Sequence, residues 1–160
     1  MRVGLVVMAA IATACSPASS PPSDLLVGTW RLVRYVDTPE GGQPTFAFGE
    51  RPAGYFVFTA DGLASISFTH PSPGPDAAPA DPDPDACVPA WYCSYFGSYT
   101  TDGRSWTVHV EGGNIPSMID TDQTRSYVLN GDTLTLAGAY DGADGKPVRF
   151  ERVLQRRHPN

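Results

Sequence analysis

The sequence predicts an all-β domain of about eight to ten antiparallel strands, arranged as a sandwich or an up-and-down barrel with little helix. Gly and Pro contribute 16 residues each to a chain of 160, and charged residues make up only 18%. This composition disfavours coiled coils and long helical bundles. Short runs of β-branched and aromatic residues recur between turn signals, whereas helical spacing is limited to at most one short turn within residues 117–123. The length is that of one domain with its own core.

The N-terminal segment, residues 1–14, has the features of a signal peptide. Arg2 precedes an apolar run that ends at Ala14 and is shorter than the roughly 20 residues of a membrane-spanning helix. The small residues before Cys15 resemble the lipobox of bacterial lipoproteins, in which a diacylglycerol is attached to the cysteine before cleavage. The alternative is an ordinary signal peptide followed by an incidental cysteine.

The segment that follows, residues 15–24, is rich in Pro and Ser and is predicted to be a solvated tether. We therefore expect an extracytoplasmic protein held on a bacterial membrane by a lipid on Cys15, in the outer membrane if the cell has one, or alternatively a secreted protein. The formal net charge of −6 argues against nucleic acid as a partner, because binding a phosphate backbone needs clustered Lys and Arg.

The predicted domain spans residues 25–155 and begins with a strand over residues 26–37. Trp30, Leu32 and Val36 occupy one face of this strand, which Arg34 interrupts. Three hairpins are predicted next. In each, an Asp-Gly or Asn-Gly pair lies between two strand-like runs and supplies the positive φ that a tight turn requires. The paired runs are 54–59 with 63–70, 92–101 with 105–111, and 123–129 with 133–137. We expect a last strand over 148–154 to close the sheet, followed by a tail at 156–160.

A proline-rich insertion, residues 71–90, interrupts the strand pattern. A central strand cannot carry so many prolines, so this segment is predicted to be an exposed loop. With Cys15 used for the lipid, Cys87 and Cys93 remain as a pair, and an oxidising compartment favours a disulfide between them. The alternating Asp and Pro of residues 81–85 lack the pattern of a calcium loop, and the three histidines are scattered. We therefore expect no metal and no cofactor.

The start of the first strand carries a family resemblance. Gly28-Thr29-Trp30 resembles the Gly-x-Trp signature that opens the lipocalin barrel. Further matching segments follow in order: 25–33, 48–62, 95–103, 108–116, 122–136 and 149–153. Together they make the chain similar to the bacterial and fungal lipocalin-like domain family over nearly all of residues 25–154. The resemblance implies a small antiparallel up-and-down barrel, and the proline-rich insertion is the departure from it.

The resemblance also implies structural roles for three residues. In lipocalins the signature Trp lies at the closed end of the barrel, where an Arg from the last strand stacks over it. Here this implies that Arg152, or less readily Arg149, stacks over Trp30. We therefore assign structural roles to Gly28, Trp30 and Arg152.

Five residues are candidates for ligand contact: Tyr95, Tyr99, His109, Arg125 and Tyr127. The two tyrosines at 95 and 99 share one face, where their hydroxyls could orient a ligand. Arg125 shares a face with Tyr127 and either pairs across the barrel or meets a ligand carboxylate. His109 alternates with apolar neighbours, so it either faces solvent or lies inside a polar barrel.

The expected function is to bind one small, mostly hydrophobic molecule inside the barrel of a monomer, since an eight-stranded barrel can hold one such ligand. One alternative is an envelope protein-interaction module whose barrel is filled. A second is a lipocalin-like isomerase, cyclase or hydratase acting on a terpenoid-like substrate, with His109 or Tyr99 as acid or base and Arg125 as anion anchor. No nucleophile elbow, phosphate-binding glycine loop or paired-carboxylate motif singles out a reaction, so we favour binding over catalysis.

Overall fold

The computed structural model describes residues 25–72 and 92–159, and strands dominate both ranges. Nine strands lie within them: β1 Gly28–Pro39, β2 Ala53–Phe58, β3 Leu63–Thr69, β4 Tyr92–Thr101, β5 Ser105–Gly113, β6 Asp122–Ser126, β7 Val128–Asn130, β8 Thr133–Asp141 and β9 Pro147–Arg156. A single 3-10 turn at Pro116–Met118 is the other regular element with named bounds. Within the described residues no helix is long and apolar enough to cross a membrane.

All nine strands belong to one antiparallel sheet, in the order β6-β5-β4-β3-β2-β1-β9-β8-β7. Its two ends meet at Tyr127, the single residue between β6 and β7. β6 pairs with β5 and β7 pairs with β8, while the Tyr127 N–H donates to the Arg104 carbonyl at 2.8 Å. One chain segment thus joins both ends of the sheet, which makes a nearly closed up-and-down barrel. The predicted all-β antiparallel barrel is confirmed.

The first two predicted hairpins are present, and the third is present only at its turn, where residues 128–130 pair with β8; residues 122–126 pair with β5 instead, so the predicted strand 123–129 is divided. Gly62, Gly103 and Gly131 take positive φ values of 89°, 87° and 57° in their turns, as the dipeptide signals require. These turns define the closed end of the barrel. The fourth hairpin, between β8 and β9, has Gly145 at φ 75° and was not predicted, because the Ala- and Gly-rich end of β8 has low β propensity.

A bulge changes which face of β1 is buried. The register with β9 shifts between Leu32 and Arg34, so one extra residue is inserted and the alternation reverses beyond it. Arg34 consequently lies on the outer surface, where its Nε is 2.7 Å from Glu151 Oε1. Tyr35 instead packs against the core. The predicted apolar face therefore holds for Trp30 and Leu32, whereas beyond the bulge Tyr35 faces the core cluster in place of Val36, although Val36 is itself only 5% exposed.

The closed end of the barrel is filled by large side chains. Its fully buried residues include Trp30, Phe58, Trp106, Leu134 and Leu154. At the opposite end, which we call the open end, the connection between β1 and β2 places the fully buried Phe48 against Tyr35 and Phe68, with ring centroids 4.7 and 4.8 Å apart. The two ends are therefore packed differently.

The arginine over Trp30 is Arg156, so the predicted stacking of Arg152 on this ring is wrong. Arg156 Cζ lies 4.1 Å from the Trp30 ring centroid, and the two residues are directly paired between β1 and β9. Arg152 pairs with Tyr35 on the far side of the bulge and stacks on that ring, with Cζ 3.3 Å from its centroid. β9 extends to Arg156, beyond its predicted end, and this brings the later arginine to the tryptophan.

Several predictions concern residues outside the described ranges. Residues 1–24, which include the signal peptide, Cys15 and the tether, are among them, as are residues 73–91 of the insertion with Cys87. Cys93 is described and is buried in β4. Lipidation and the Cys87–Cys93 disulfide stay predictions.

Candidate functional site

A cavity of about 590 Å³ occupies the open-end half of the barrel. Small-molecule sites in proteins typically measure about 300 to 1,000 Å³, so the volume suits one small ligand. Six aromatic side chains form much of the wall: Tyr35, Phe56, Phe68, Tyr95, Tyr140 and Phe150. Aromatic rings provide a large apolar surface, and the tyrosines add a polar group at the edge.

One side of the cavity lies against a gap between strands. Among the described residues β6 pairs only with β5, and β8 beyond Thr135 pairs only with β9. Residues 124–126 of β6 and 136–140 of β8 nevertheless both line the cavity. The backbone edges of these two segments therefore face each other across the cavity without a hydrogen-bonded ladder.

Arg152 is one of two arginines in the cavity wall, and its charge is compensated. Its Nη2 lies 2.8 Å from Asp37 Oδ1, and the two side chains are only 12% and 15% exposed. Its Nη1 donates to the carbonyls of Val36 at 2.6 Å and Glu151 at 3.1 Å. Burial raises the pKa of the neighbouring Tyr35, although the positive charge of Arg152 opposes this. Tyr35 is therefore a neutral phenol at physiological pH.

Arg125 is the second arginine of the cavity wall. It lies opposite the buried Trp106 in the β5–β6 register, which places it on the inner face of the barrel. Its Nη1 donates to the Thr124 carbonyl at 2.7 Å and its Nη2 to Gln123 Oε1 at 3.2 Å. In the part of the chain that the structure describes, no carboxylate lies within ion-pair distance of Arg125. No described acidic side chain thus compensates its charge.

Tyr95 places a hydroxyl in the same cavity. The residue is 6% exposed, and its side chain forms no hydrogen bond to any described residue. Burial raises the pKa of Tyr95, and the positive charge of Arg125 lowers it by a smaller amount, so the two groups interact and the phenol stays protonated. Gly113 is its partner on β5; a Cβ there would lie 2.9 Å from Tyr95 Cβ. The glycine therefore allows β5 to approach β4 closely at Tyr95.

Comparison with known proteins identifies the family of the chain. A family model described as a lipocalin-like domain matches residues 27–153. The chain belongs to the lipocalin-like domain family. A solved structure of bovine odorant binding protein, in complex with a selenium-containing odorant, is similar to this lipocalin-like domain at 14% identity and a TM-score of 0.43, over 92% of this chain and 80% of that chain. No curated protein matches the sequence.

Two predicted ligand contacts, Tyr99 and Tyr127, belong instead to the packed part of the lipocalin-like barrel. The Tyr99 hydroxyl donates to the Thr59 carbonyl at 3.1 Å. The Tyr127 ring stacks on Trp106 at a centroid distance of 5.2 Å, and its hydroxyl lies 3.0 Å from Thr101 Oγ1. Neither residue lines the cavity. Of the candidate residues, Tyr95 and Arg125 are the two that the structure brings together there.

His109 lies on the outer surface of the lipocalin-like domain. Its side chain is 50% exposed, with Nδ1 at 3.0 Å from Asp122 Oδ1 and Nε2 at 3.5 Å from Asp120 Oδ1. The hydrogen bond with Asp122 raises the pKa of His109. The solvent-facing alternative is therefore the one that the structure has. His109 and Tyr99 do not meet Arg125 in one site, and the arrangement required for the predicted acid–base chemistry is absent from the described residues.

Sequence reasoning missed the ion pair of Asp37 and Arg152 in the cavity wall. Alternation counted from Trp30 places Asp37 on the outer face, and only the bulge after Leu32 brings it inward. The later part of β8, with Tyr140, was missed as well. The one available signal was Tyr140 itself, an aromatic residue within an Ala- and Gly-rich stretch.

Proposed function

We propose that this lipocalin-like domain binds one small, mostly hydrophobic molecule in the open-end cavity of its barrel. The cavity is the observation that carries the proposal. An eight-stranded barrel is just wide enough either to be filled by side chains or to hold one ligand. Here the closed end is filled, whereas about 590 Å³ at the open end is not.

The walls favour an apolar ligand. Burying apolar surface contributes about 25 cal/mol per Å², and most of the cavity wall is aromatic or aliphatic. The few polar groups, Arg125 and Tyr95 among them, would orient the ligand rather than provide most of the binding free energy. A completely filled barrel, as the protein-interaction alternative assumes, would leave no such space.

We further propose that the domain acts outside the cytoplasm on a lipid anchor at Cys15. The support is the sequence alone: a short apolar run, small residues before the cysteine, and a Pro- and Ser-rich tether. In a bacterial host, the protein should partition with membranes and incorporate labelled palmitate, and Cys15→Ser should abolish both. Persistence of label in Cys15→Ser would contradict the proposal.

The binding function can be tested with N-phenyl-1-naphthylamine, a neutral probe that fluoresces in apolar surroundings. The purified protein should enhance its fluorescence saturably with one site per chain. Leu136, which is 3% exposed and lines the cavity, is the position to block: Leu136→Trp should reduce probe affinity about tenfold or more, a loss of 1.4 kcal/mol. Val128→Trp is the matched control, since Val128 is 69% exposed on β7.

Cooperative thermal unfolding of both variants would show that the barrel is intact. If Leu136→Trp folds and binds the probe as well as Val128→Trp does, the cavity is not the binding site. Absence of any saturable binding by the unsubstituted protein would overturn the proposed function as a whole.

A further inference from the structure

We infer that the ligand is an amphipathic monocarboxylate whose carboxylate binds Arg125 and Tyr95 while its apolar part lies among the aromatic rings. This inference rests on the proposed function and specifies its ligand class. It follows from three features of the cavity: its charge balance, its unused hydrogen-bond donors and the size of its apolar wall.

The charge balance of the cavity leaves one positive charge. Two guanidinium groups, Arg125 and Arg152, line it. Asp37 compensates Arg152 at 2.8 Å, and within residues 25–72 and 92–159 Arg125 has no carboxylate partner. Arg125 is half-buried, so its guanidinium is available to an anionic group of a ligand in the cavity. One negative charge on the ligand would balance the site, whereas a dianion would leave an excess.

Arg125 also retains unused donors. A guanidinium has five N–H groups, and two hydrogen bonds to described residues engage its Nη1 and Nη2. The remaining donors suit a carboxylate, which accepts paired hydrogen bonds from the planar guanidinium fork. Both acceptors that it already meets are neutral oxygens on β6 itself, Thr124 O and Gln123 Oε1, so the side chain is positioned without its charge being neutralised.

Tyr95 supplies an independent second donor. Its hydroxyl has no hydrogen-bond partner among the described residues although the residue is 94% buried. A ligand oxygen in the cavity can accept a hydrogen bond from this hydroxyl. Tyr95 and Arg125 line the same cavity, so both donors are assigned to one ligand carboxylate.

The apolar wall accounts for the rest of the ligand. Phe56, Phe68 and Phe150 line the cavity together with Ile66 and Leu136. A small hydrophilic anion such as acetate would satisfy the two polar groups and leave this wall uncovered. A ligand with a carboxylate at one end and a hydrocarbon body would satisfy both parts.

The test compares dodecanoate with dodecanol as competitors of bound N-phenyl-1-naphthylamine near neutral pH. The two molecules share a hydrocarbon chain and differ in charge. We expect dodecanoate to bind about tenfold or more tightly than dodecanol to the unsubstituted protein, since charge-assisted hydrogen bonds are the strong ones. Arg125→Met should abolish this preference by weakening dodecanoate alone, and Arg125→Lys should retain part of it because the charge remains.

Two matched controls separate the site from general effects. Tyr95→Phe should weaken dodecanoate severalfold, whereas Tyr99→Phe should not, because the Tyr99 hydroxyl bonds to Thr59 outside the cavity. Arg104→Gln removes an exposed charge at the closed end and should leave the preference unchanged. Each variant must unfold cooperatively to be compared.

The outcomes distinguish this inference from the proposed function. If dodecanol competes as well as dodecanoate, or if Arg125→Met keeps the full preference, the carboxylate inference is overturned while hydrophobic binding stands. If neither competitor nor the neutral probe binds the unsubstituted protein, the proposed function fails and the inference fails with it.

Discussion

Arg156 stacks its guanidinium on the indole of Trp30, with 4.1 Å between Cζ and the ring centroid. The same guanidinium donates to the carbonyls of Val27 and Leu25, while the indole N–H donates to the Leu26 carbonyl at 2.8 Å. The last strand therefore holds the start of the first strand over the closed end of the barrel. One arginine combines a cation–π contact with two charge-assisted hydrogen bonds.

Replacing Arg156 should destabilise the barrel. We expect Arg156→Ala to lower the free energy of unfolding by about 2 to 3 kcal/mol, because it removes the stacking and leaves the Val27 and Leu25 carbonyls without this donor. Urea denaturation measures the change. Arg157→Ala is the control, since Arg157 is exposed and its Cζ lies 5.8 Å from the Tyr55 ring centroid. Equal losses in the two variants would contradict this role.

Breaking the ion pair in the cavity wall should have two effects. Asp37→Asn leaves Arg152 without its carboxylate in a largely buried place, and we expect a loss of about 2 kcal/mol in unfolding free energy. It also adds uncompensated positive charge to the cavity, so dodecanoate should bind more tightly than to the unsubstituted protein. Urea denaturation and the competition assay measure these changes. Weaker dodecanoate binding by a folded Asp37→Asn variant would contradict the charge balance.

His109 should titrate above the ordinary histidine range. The hydrogen bond with Asp122 raises its pKa above 6.5, so protonated His109 favours the folded state. This stabilisation is present below the unfolded pKa and is lost as the pH rises through the folded pKa. NMR titration of the imidazole should show the raised pKa, and Asp122→Asn should lower it. His109→Ala should leave probe binding unchanged, because the ring lies outside the cavity; lost binding would contradict this placement.

Gly113 should be required for the position of Tyr95. A Cβ at this residue would lie 2.5 Å from the Ser94 carbonyl oxygen and 2.9 Å from Tyr95 Cβ. We expect Gly113→Ala to cost about 1 to 3 kcal/mol of stability through overpacking and to weaken dodecanoate binding. Gly145→Ala is the matched control: a Cβ there meets no atom within 4 Å, and its φ of 75° confines the cost to backbone strain. Thermal unfolding and the competition assay would separate the two variants.

Local signals predicted most of the strands. β4 begins and ends where the sequence indicates, at Tyr92 and Thr101, because alternation and the following Asp-Gly turn agree. The site was harder to predict. The bulge after Leu32 depends on pairing with β9, which is distant in sequence, and it decides that Tyr35 lies inside and Arg34 outside.

The candidate site was predictable only in part for the same reason. Arg125 and Tyr95 share the inner face by alternation, which the sequence shows. Whether Arg125 has a carboxylate partner depends on packing across the barrel, and the sequence does not show that packing. The arginine that reaches Trp30 is likewise decided by the register of β1 with β9, so counting back from a predicted strand end selects the wrong residue.

At Tyr127 the chain passes from pairing with β5 to pairing with β8. This switch leaves one place on the circumference of the barrel where, among the described residues, neighbouring strands are not hydrogen-bonded, and the width of the barrel can change there. Along most of the circumference, widening the barrel would break backbone hydrogen bonds between strands. Between β6 and the later part of β8 the described residues have no such bonds to break. If the barrel binds ligands as proposed, we therefore expect those of different width to be accommodated by separation of β6 from the later part of β8 rather than by changes at the closed end.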